Sequence, residues 1–322
     1  MLNIVFSIPI HQRFEVVLDQ ICNFRHFNPN CGIVFHLSQS FDESGSALSK
    51  KDFCAIVEQM GNIYINPTSV RTGFADIIQT HISNFEYVKE LTEFEYFAIC
   101  ASNESFVRTG LYDYMKDFDC GFSRCAIKKA SDWRFGKFLF KDEDFLSYVN
   151  ETDRKILNFT KPEGQFYKKN LFSGICTKIK IFYDYTKMPF AYPREEVYFS
   201  TIACNIADAQ QSLKIGDIFT YSAYHFAFLW DVSRIECNRI ASGCDAQFSV
   251  KRVDRLINDN IRMYLREKYG YADDLRRLLP PHICLKKQCT VLVDCASLKK
   301  NVKQLCKNWK KIPKFFTNKW KT

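Results

Sequence analysis

Two adjacent carboxylates, Glu195 and Glu196, open the apolar run VYFSTIA at 197–203. A glutamate at the start of an apolar helix is held rigidly and loses part of its water, which suits it to take a proton from a hydroxyl. The plainer alternative is that the pair complements the positive end of the helix dipole, a common use of acids there. Lys251 and Arg252, adjacent inside FSVKR at 248–252, are candidate cations. Otherwise they are the solvated charge run that opens a surface helix. Arg234 and Arg239 are further candidate cations. Two Asp-x-Asp strings, Asp117-Phe118-Asp119 and Asp142-Glu143-Asp144, have the residue types to hold a metal with a diphosphate, but both lie in charged stretches away from a strand end. His282, Cys284, Cys289 and Cys295 can be drawn as a zinc site, yet their spacing fits no standard zinc module.

The elements that must position these groups are clearest in the N-terminal third. Residues 3–10 (NIVFSIPI), 32–37 (GIVFHL), 62–66 (NIYIN) and 96–101 (YFAICA) are apolar runs of strand length. Between the first two, Phe14, Val17, Leu18, Ile21 and Phe24 recur at helical spacing, and Asn28-Pro29-Asn30 ends that helix. A longer amphipathic stripe runs from Phe74 to Val88. Strands separated by helices of this length predict parallel βαβ units with a ligand crevice at the carboxyl ends of the strands. No GxGxxG or GxxxxGK[ST] follows the first strand, which removes the main support for dinucleotide and P-loop readings. Farther on, the spacing predicts a helix around 110–118, a helical LFSGICTKIKIF segment, and one charged helix over 253–277.

Composition narrows the class. The chain has 322 residues with 47% apolar and 25% charged residues, which excludes wholesale disorder. Its 30 Phe predict a Phe-rich core or ring-stacking surfaces. The net charge of +9 is concentrated: from Lys286 to Thr322 there are eleven Lys and one acid, Asp294, a net of +10 that leaves the first 285 residues at −1. That distribution argues against a general nucleic-acid binder and for a local anionic contact made by the tail. No segment reaches the ~18 consecutive apolar residues that span a bilayer. The N-terminus reads as a strand, without the basic region or cleavage site of a signal peptide. Fourteen Cys with no CxxC pair fit a reduced, cytoplasmic protein.

Several stretches together resemble the core-2/I-branching β-1,6-N-acetylglucosaminyltransferases, the family that also holds the protein xylosyltransferases (glycosyltransferase family 14). FSIPIHQRFEVVLDQI, GIVFHLSQS, NIYINPTSVRTGFADIIQTHISNF, YFAICASNESFVRTG, LFSG, YPREEVYFSTI and FSVKR carry the likeness, over roughly residues 3–255. The resemblance implies a GT-A-type, Rossmann-like α/β fold with a mostly parallel central sheet, and the Pro280-Pro281 pair divides that domain, residues 1–280, from a basic helical tail over 281–322. It implies an inverting, metal-independent glycosyltransferase. Such an enzyme moves GlcNAc or a related sugar from a UDP-sugar to a saccharide hydroxyl, in a bacterial relative that builds a surface polysaccharide. Counting back from Thr201-Ile202, the family's catalytic carboxylate falls on Glu196, with Glu195 as the fallback, and its diphosphate lysine on Lys251 beside Arg252. His11 and Ser38 fall at the nucleotide, and Asn103 and Glu104 at a turn that faces the sugars. Ser38 stands where the family carries an Asp that contacts the nucleoside, and Glu104 where an Asp is usual. The alternatives are a non-catalytic nucleotide- or glycan-binding protein of the same fold, or a metal-dependent transferase using one Asp-x-Asp.

The tail has a pattern of its own. Leu298, Val302, Leu305, Trp309 and Ile312 recur in steps of three and four among lysines, and Pro313 stops the helix. Such a stripe predicts a helix lying on an anionic membrane surface, beside a lipid-linked acceptor at the inner face of the membrane. The bland alternative is a C-terminal helix packed on the body.

Overall fold

The computed structural model describes residues 1–283 and Leu285, apart from residues 12, 40–44, 71, 73–76, 184–191, 207–212, 223, 226–227 and 230. Packing divides the chain into Met1–Cys284 and Leu285–Thr322. The lysine-rich tail stripe and the drawn zinc ligands Cys284, Cys289 and Cys295 lie outside the described residues. Within them, no helix is long and apolar enough to cross a membrane.

Among the described residues fourteen strands follow one another: β1 (Leu2–Ile10), β2 (Cys31–Leu37), β3 (Ile63–Asn66), β4 (Phe94–Ile99), β5 (Glu104–Phe106), β6 (Cys120–Gly121), β7 (Cys125–Ala126), β8 (Asn158–Phe159), β9 (Phe166–Lys168), β10 (Ile215–Gly216), β11 (Thr220–Ser222), β12 (Tyr224–His225), β13 (Phe228–Leu229) and β14 (Ser249–Lys251). Seven form the main sheet, in the order β10-β6-β9-β4-β1-β2-β3. The pairs β4–β1, β1–β2, β2–β3 and β10–β6 are parallel, and only β9 runs against its neighbours. The expected α/β class with a mostly parallel sheet is therefore the observed one. A second, three-stranded sheet, β11-β14-β5, stands beyond the end of β4.

The helices are α1 (Phe14–Phe27), α2 (Lys50–Glu58), α3 (Ile78–Lys89), α4 (Leu111–Met115), α5 (Gly136–Leu139), α6 (Glu143–Glu151), α7 (Lys169–Phe182), α8 (Tyr198–Ile206), α9 (Arg234–Ala241), α10 (Asn260–Tyr269) and α11 (Ala272–Leu278). β1 is central, so nearly every residue in it is buried, and a strand covered on both faces reads as a continuous apolar run. Phenylalanines fill the core: Phe6 meets Phe24 at 5.0 Å, and Phe97 meets Phe172 at 4.7 Å. The ten described cysteines are all free thiols.

Two expectations need correction. The single helix over 253–277 is instead α10 and α11. Asp259 caps α10 by accepting from the Ile261 and Arg262 amides, and Gly270, at φ +78°, ends it in the left-handed conformation. Residues 253–258 are thereby left as a loop. Lys251 and Arg252 do not open a surface helix either. Lys251 ends β14, held between β11 and β5.

Candidate active site

The carboxyl ends of β1, β4 and β14 converge on a cleft of about 240 Å³. His11 enters it just after β1, Cys100 to Asn103 just after β4, Lys251 from the end of β14, and Arg252 and Arg255 from the loop that follows. Parallel strands create such a crevice because their connecting helices leave the carboxyl edge open. His81, which also lines it, belongs to a buried polar cluster. Ser7 Oγ is 2.8 Å from His81 Nδ1, and Asn84 Nδ2 donates to Ser7 Oγ at 3.0 Å. Burial pushes His81 down to about 3, so this histidine is neutral. His11 is also lowered, by burial first and then by Arg255 and His36.

Arg252 has φ +77°, a left-handed conformation that costs a non-glycine residue about 1–2 kcal/mol. The carbonyl of Asn103 offsets that strain by accepting from both the Arg252 and Val253 amides, at 3.0 and 3.1 Å. The turn after β4 and the cationic loop are thus locked together, and strain of this kind gathers where a side chain must be aimed. Lys251 Nζ forms an ion pair with Glu163, and both side chains are largely buried. Glu163 comes from a loop whose Gly164, at φ +84°, could not carry a Cβ: the atom would sit 2.5 Å from the Thr220 amide nitrogen. Burial also lowers Lys161 on the same loop, and Lys251 and Arg252 lower it further.

Glu195 and Glu196 form a 3-10 turn, Arg194–Glu196, directly before α8. The turn is tied to the Glu163 loop: Thr160 N donates to Glu196 O at 2.8 Å, and Gln165 Nε2 to Glu195 O at 3.2 Å. The two carboxyls differ. Glu195 is enclosed, its Oε2 has no partner among the described residues, and burial raises it to about 8. Glu196 keeps 15% of its side chain exposed. It accepts from Trp133 Nε1 at 3.2 Å and Arg134 Nη2 at 3.4 Å. Burial raises Glu196 to about 7, with Arg134, Trp133 and Lys251 pulling it down and Glu163 pushing it up. Glu163 and Lys251 therefore lie within electrostatic reach of Glu196.

The remaining expectations divide. His11, Asn103, Lys251 and Arg252 line the cleft. Glu104 does not face it. Its carboxyl is fully buried and accepts from Ala101 N at 3.1 Å, Thr220 Oγ1 at 2.5 Å and Ser249 Oγ at 2.6 Å, joining the turn after β4 to the second sheet. Burial raises it to about 7. Ser38 Oγ accepts from Thr72 N at 3.1 Å, which fastens the segment after β3 onto the end of β2. Neither Arg234 nor Arg239 lines the cleft: Arg234 stacks over Tyr264, and Arg239 pairs with Asp245 at 2.8 Å. Arg255 takes the place expected for one of them. The Asp-x-Asp strings are occupied elsewhere. Asp119 binds Lys168 and the Lys214 amide, while Asp142 caps α6 and accepts from Tyr198 at 2.6 Å. Glu163, Lys161, Arg255, Trp133 and Arg134 had no periodic or motif signal in the sequence.

Fold and cleft together define an α/β protein with a cationic crevice at the carboxyl edge of its sheet and a carboxyl of raised pKa beside it. No protein-family model and no curated protein matches the chain. Among solved structures it is similar to the galactosyltransferase LgtC in complex with donor and acceptor sugar analogs, at 10% identity over 86% of this chain and 100% of that one, with a TM-score of 0.41. It is similar to an active-site mutant of LgtC at 11% identity, with the same coverages and TM-score. At that distance the likeness bears on neither reaction nor residues, so function is read from the cleft itself.

Proposed function

We propose that the chain is an inverting glycosyltransferase of the core-2/I-branching kind, with a GT-A-type fold, that uses a nucleotide-diphosphate sugar. The donor is UDP-linked, carrying GlcNAc or a related sugar, and the acceptor is a saccharide hydroxyl. The observation that carries this reading is the cationic group Lys251, Arg252 and Arg255 in a cleft beside Glu196. In the proposed reaction the acceptor oxygen attacks the anomeric carbon from the face opposite the diphosphate. Its proton passes to Glu196, the bond from the anomeric carbon to the phosphate oxygen breaks, and the electron pair leaves with the diphosphate. Lys251 and Arg252 balance that charge, as fixed cations aimed at a leaving group do. A base near pKa 7 is half ionised at neutral pH, close to the optimum for general-base work. A metal-dependent reading through either Asp-x-Asp is disfavoured by the partners that Asp119 and Asp142 already hold.

Lys251→Ala is expected to weaken UDP binding by about tenfold to a hundredfold, the range for a lost hydrogen bond to a charged group. Uridine binding should stay unchanged, and donor turnover should persist in EDTA. Calorimetric titration with UDP and uridine reads the first effect. Equal losses for both ligands would place Lys251 away from the diphosphate. Abolition of turnover by EDTA would return the reaction to a metal-dependent class. Donor binding with no hydrolysis or transfer under any condition would favour the non-catalytic binding protein.

The lysine-rich tail, proposed to hold the enzyme at the inner face of an anionic membrane, is tested by liposome co-sedimentation. The full chain should bind anionic vesicles and a chain ending near Leu298 should not. Equal, weak binding by both would remove the membrane contact.

A further inference from the structure

Glu196 has two sets of neighbours. It feels Glu163 and Lys251, which line the cleft, and it is held by Trp133 and Arg134, which line no part of it. The segment carrying those two residues is built as a one-sided surface. Gly136 N donates to Trp133 O at 2.9 Å, Phe140 N to Gly136 O at 2.9 Å, and Lys141 N to Phe138 O at 3.0 Å, so turns flank the four-residue helix α5 on both sides, while Trp133 itself is extended. Trp133, Gly136 and Leu139 are buried, three residues apart. Arg134, Lys137, Phe138 and Lys141, from α5 and the turns on either side of it, are all exposed. The inner face is anchored by aromatic packing: Trp133 stacks on Phe159 at 6.1 Å and meets Tyr192 edge-on at 5.8 Å.

The outward face is cationic. Residues 124–141 contain Arg124, Lys128, Lys129, Arg134, Lys137 and Lys141, all six exposed, against the single acid Asp132. Asp132 is engaged by the Lys128 and Lys129 amides, and Asp142, the next acid, is turned inward onto Tyr198 and Arg194. Glu143 and Asp144, exposed in the first turn of α6, mark the end of the stripe. In a body whose first 285 residues carry a net charge near zero, this concentration is local and adjoins the proposed base.

We propose that the stripe Arg134–Lys137–Phe138–Lys141 is the acceptor subsite and that its ligand is an acidic saccharide, bearing carboxylate or phosphate groups. This rests on the glycosyltransferase reading of Glu196. The exposed Phe138 ring packs against an apolar sugar face. Lys137 and Lys141 meet the acidic groups, and Arg134 carries the stripe up to Glu196, where the reacting hydroxyl is deprotonated. A neutral acceptor would leave Lys137 and Lys141 without a counter-charge.

The test uses the full chain and its Lys137→Ala/Lys141→Ala double variant on an array of neutral, uronate-bearing and phosphate-bearing oligosaccharides. Both altered residues are exposed, so folding should survive, and a melting curve checks it. The parent should retain acidic oligosaccharides in preference to neutral ones, with retention falling as salt rises. The variant should lose about tenfold in that retention and bind UDP as the parent does. Equal retention of neutral and acidic probes, or retention unmoved in the variant, overturns the inference while UDP binding leaves the parent reading standing. Failure of both proteins to bind UDP or any UDP-sugar sinks the parent reading itself. Anionic vesicles bound through Lys137 and Lys141, with no acidic saccharide retained, make the stripe a membrane contact and also overturn the proposal.

Discussion

Glu196→Gln is expected to lower turnover by about 10² or more while leaving UDP binding close to its starting level. The amide keeps the shape of the carboxylate and its single oxygen can still accept from either Trp133 or Arg134, but it cannot take up a proton. The loss therefore falls on the chemical step and should appear in kcat more than in KM. Turnover of the parent should rise as pH climbs through about 7, because burial holds the Glu196 carboxyl protonated below that value and only the ionised form is a base. The glutamine variant should lose that limb of the profile. Glu195→Gln is the discriminating control. Glu195 is enclosed and raised to about 8, so it is mostly neutral at pH 7 and poorly placed to accept a proton. If Glu195→Gln removes turnover and Glu196→Gln does not, the base lies one residue earlier. If neither substitution matters, the carboxylate assignment falls.

Asp19→Ala is expected to destabilise the fold by about 3–5 kcal/mol, the cost of breaking a buried ion pair from one side. Asp19 on α1 accepts from Arg262 Nη1 at 2.8 Å and Arg266 Nη1 at 3.2 Å, both from α10, and all three side chains are buried. Removing the carboxylate leaves two guanidinium groups in the interior without their counter-charge. The same arginines hold the preceding loop: Arg262 Nε donates to Asp254 O and Arg266 Nη2 to Ile257 O, each at 2.8 Å. That loop carries Arg255 into the cleft, so the damage should extend from stability to UDP affinity. Urea denaturation is the measurement, with a lower midpoint at an unchanged slope as the expected result. Replacing Asp19, Arg262 and Arg266 together by apolar residues of similar volume should cost far less than Asp19→Ala alone. An unfolding free energy for Asp19→Ala within about 0.5 kcal/mol of the parent's, an ordinary surface effect, would contradict the buried-pair reading.

Local pattern alone determined the frame. β1 to β4 and the helices α1 and α3 are written in short apolar runs and in apolar residues at helical spacing, and the folded chain follows them to within a few residues. Burial dictates those patterns residue by residue, whatever the distant parts of the chain do. The crevice at the carboxyl edge was legible for the same reason, since parallel strands joined by helices leave that edge open, and His11, Asn103, Lys251 and Arg252 do line it. Local pattern was less reliable where two conformations share one composition. The stretch 253–277 has the charge of a single surface helix, but capping by Asp259 and the left-handed Gly270 divide it and free the loop that bears Arg255.

Only the tertiary structure decided which charged groups meet. Lys251 stands opposite Glu104 in a sheet register, beside Glu163 from a third segment, and Arg255 rather than Arg234 or Arg239 completes the cations. Glu104 carries an acid where the sequence suggests a site, and the fold encloses it as a brace between two sheets. Trp133 and Arg134 look like any exposed basic and aromatic stretch until α8 brings Glu196 against them. A residue's own neighbours in sequence record whether its side chain is buried, because burial acts on each position separately. Which side chains share a site depends on pairings between segments far apart in the chain, and those are settled by closure of the sheet and packing of the helices upon it.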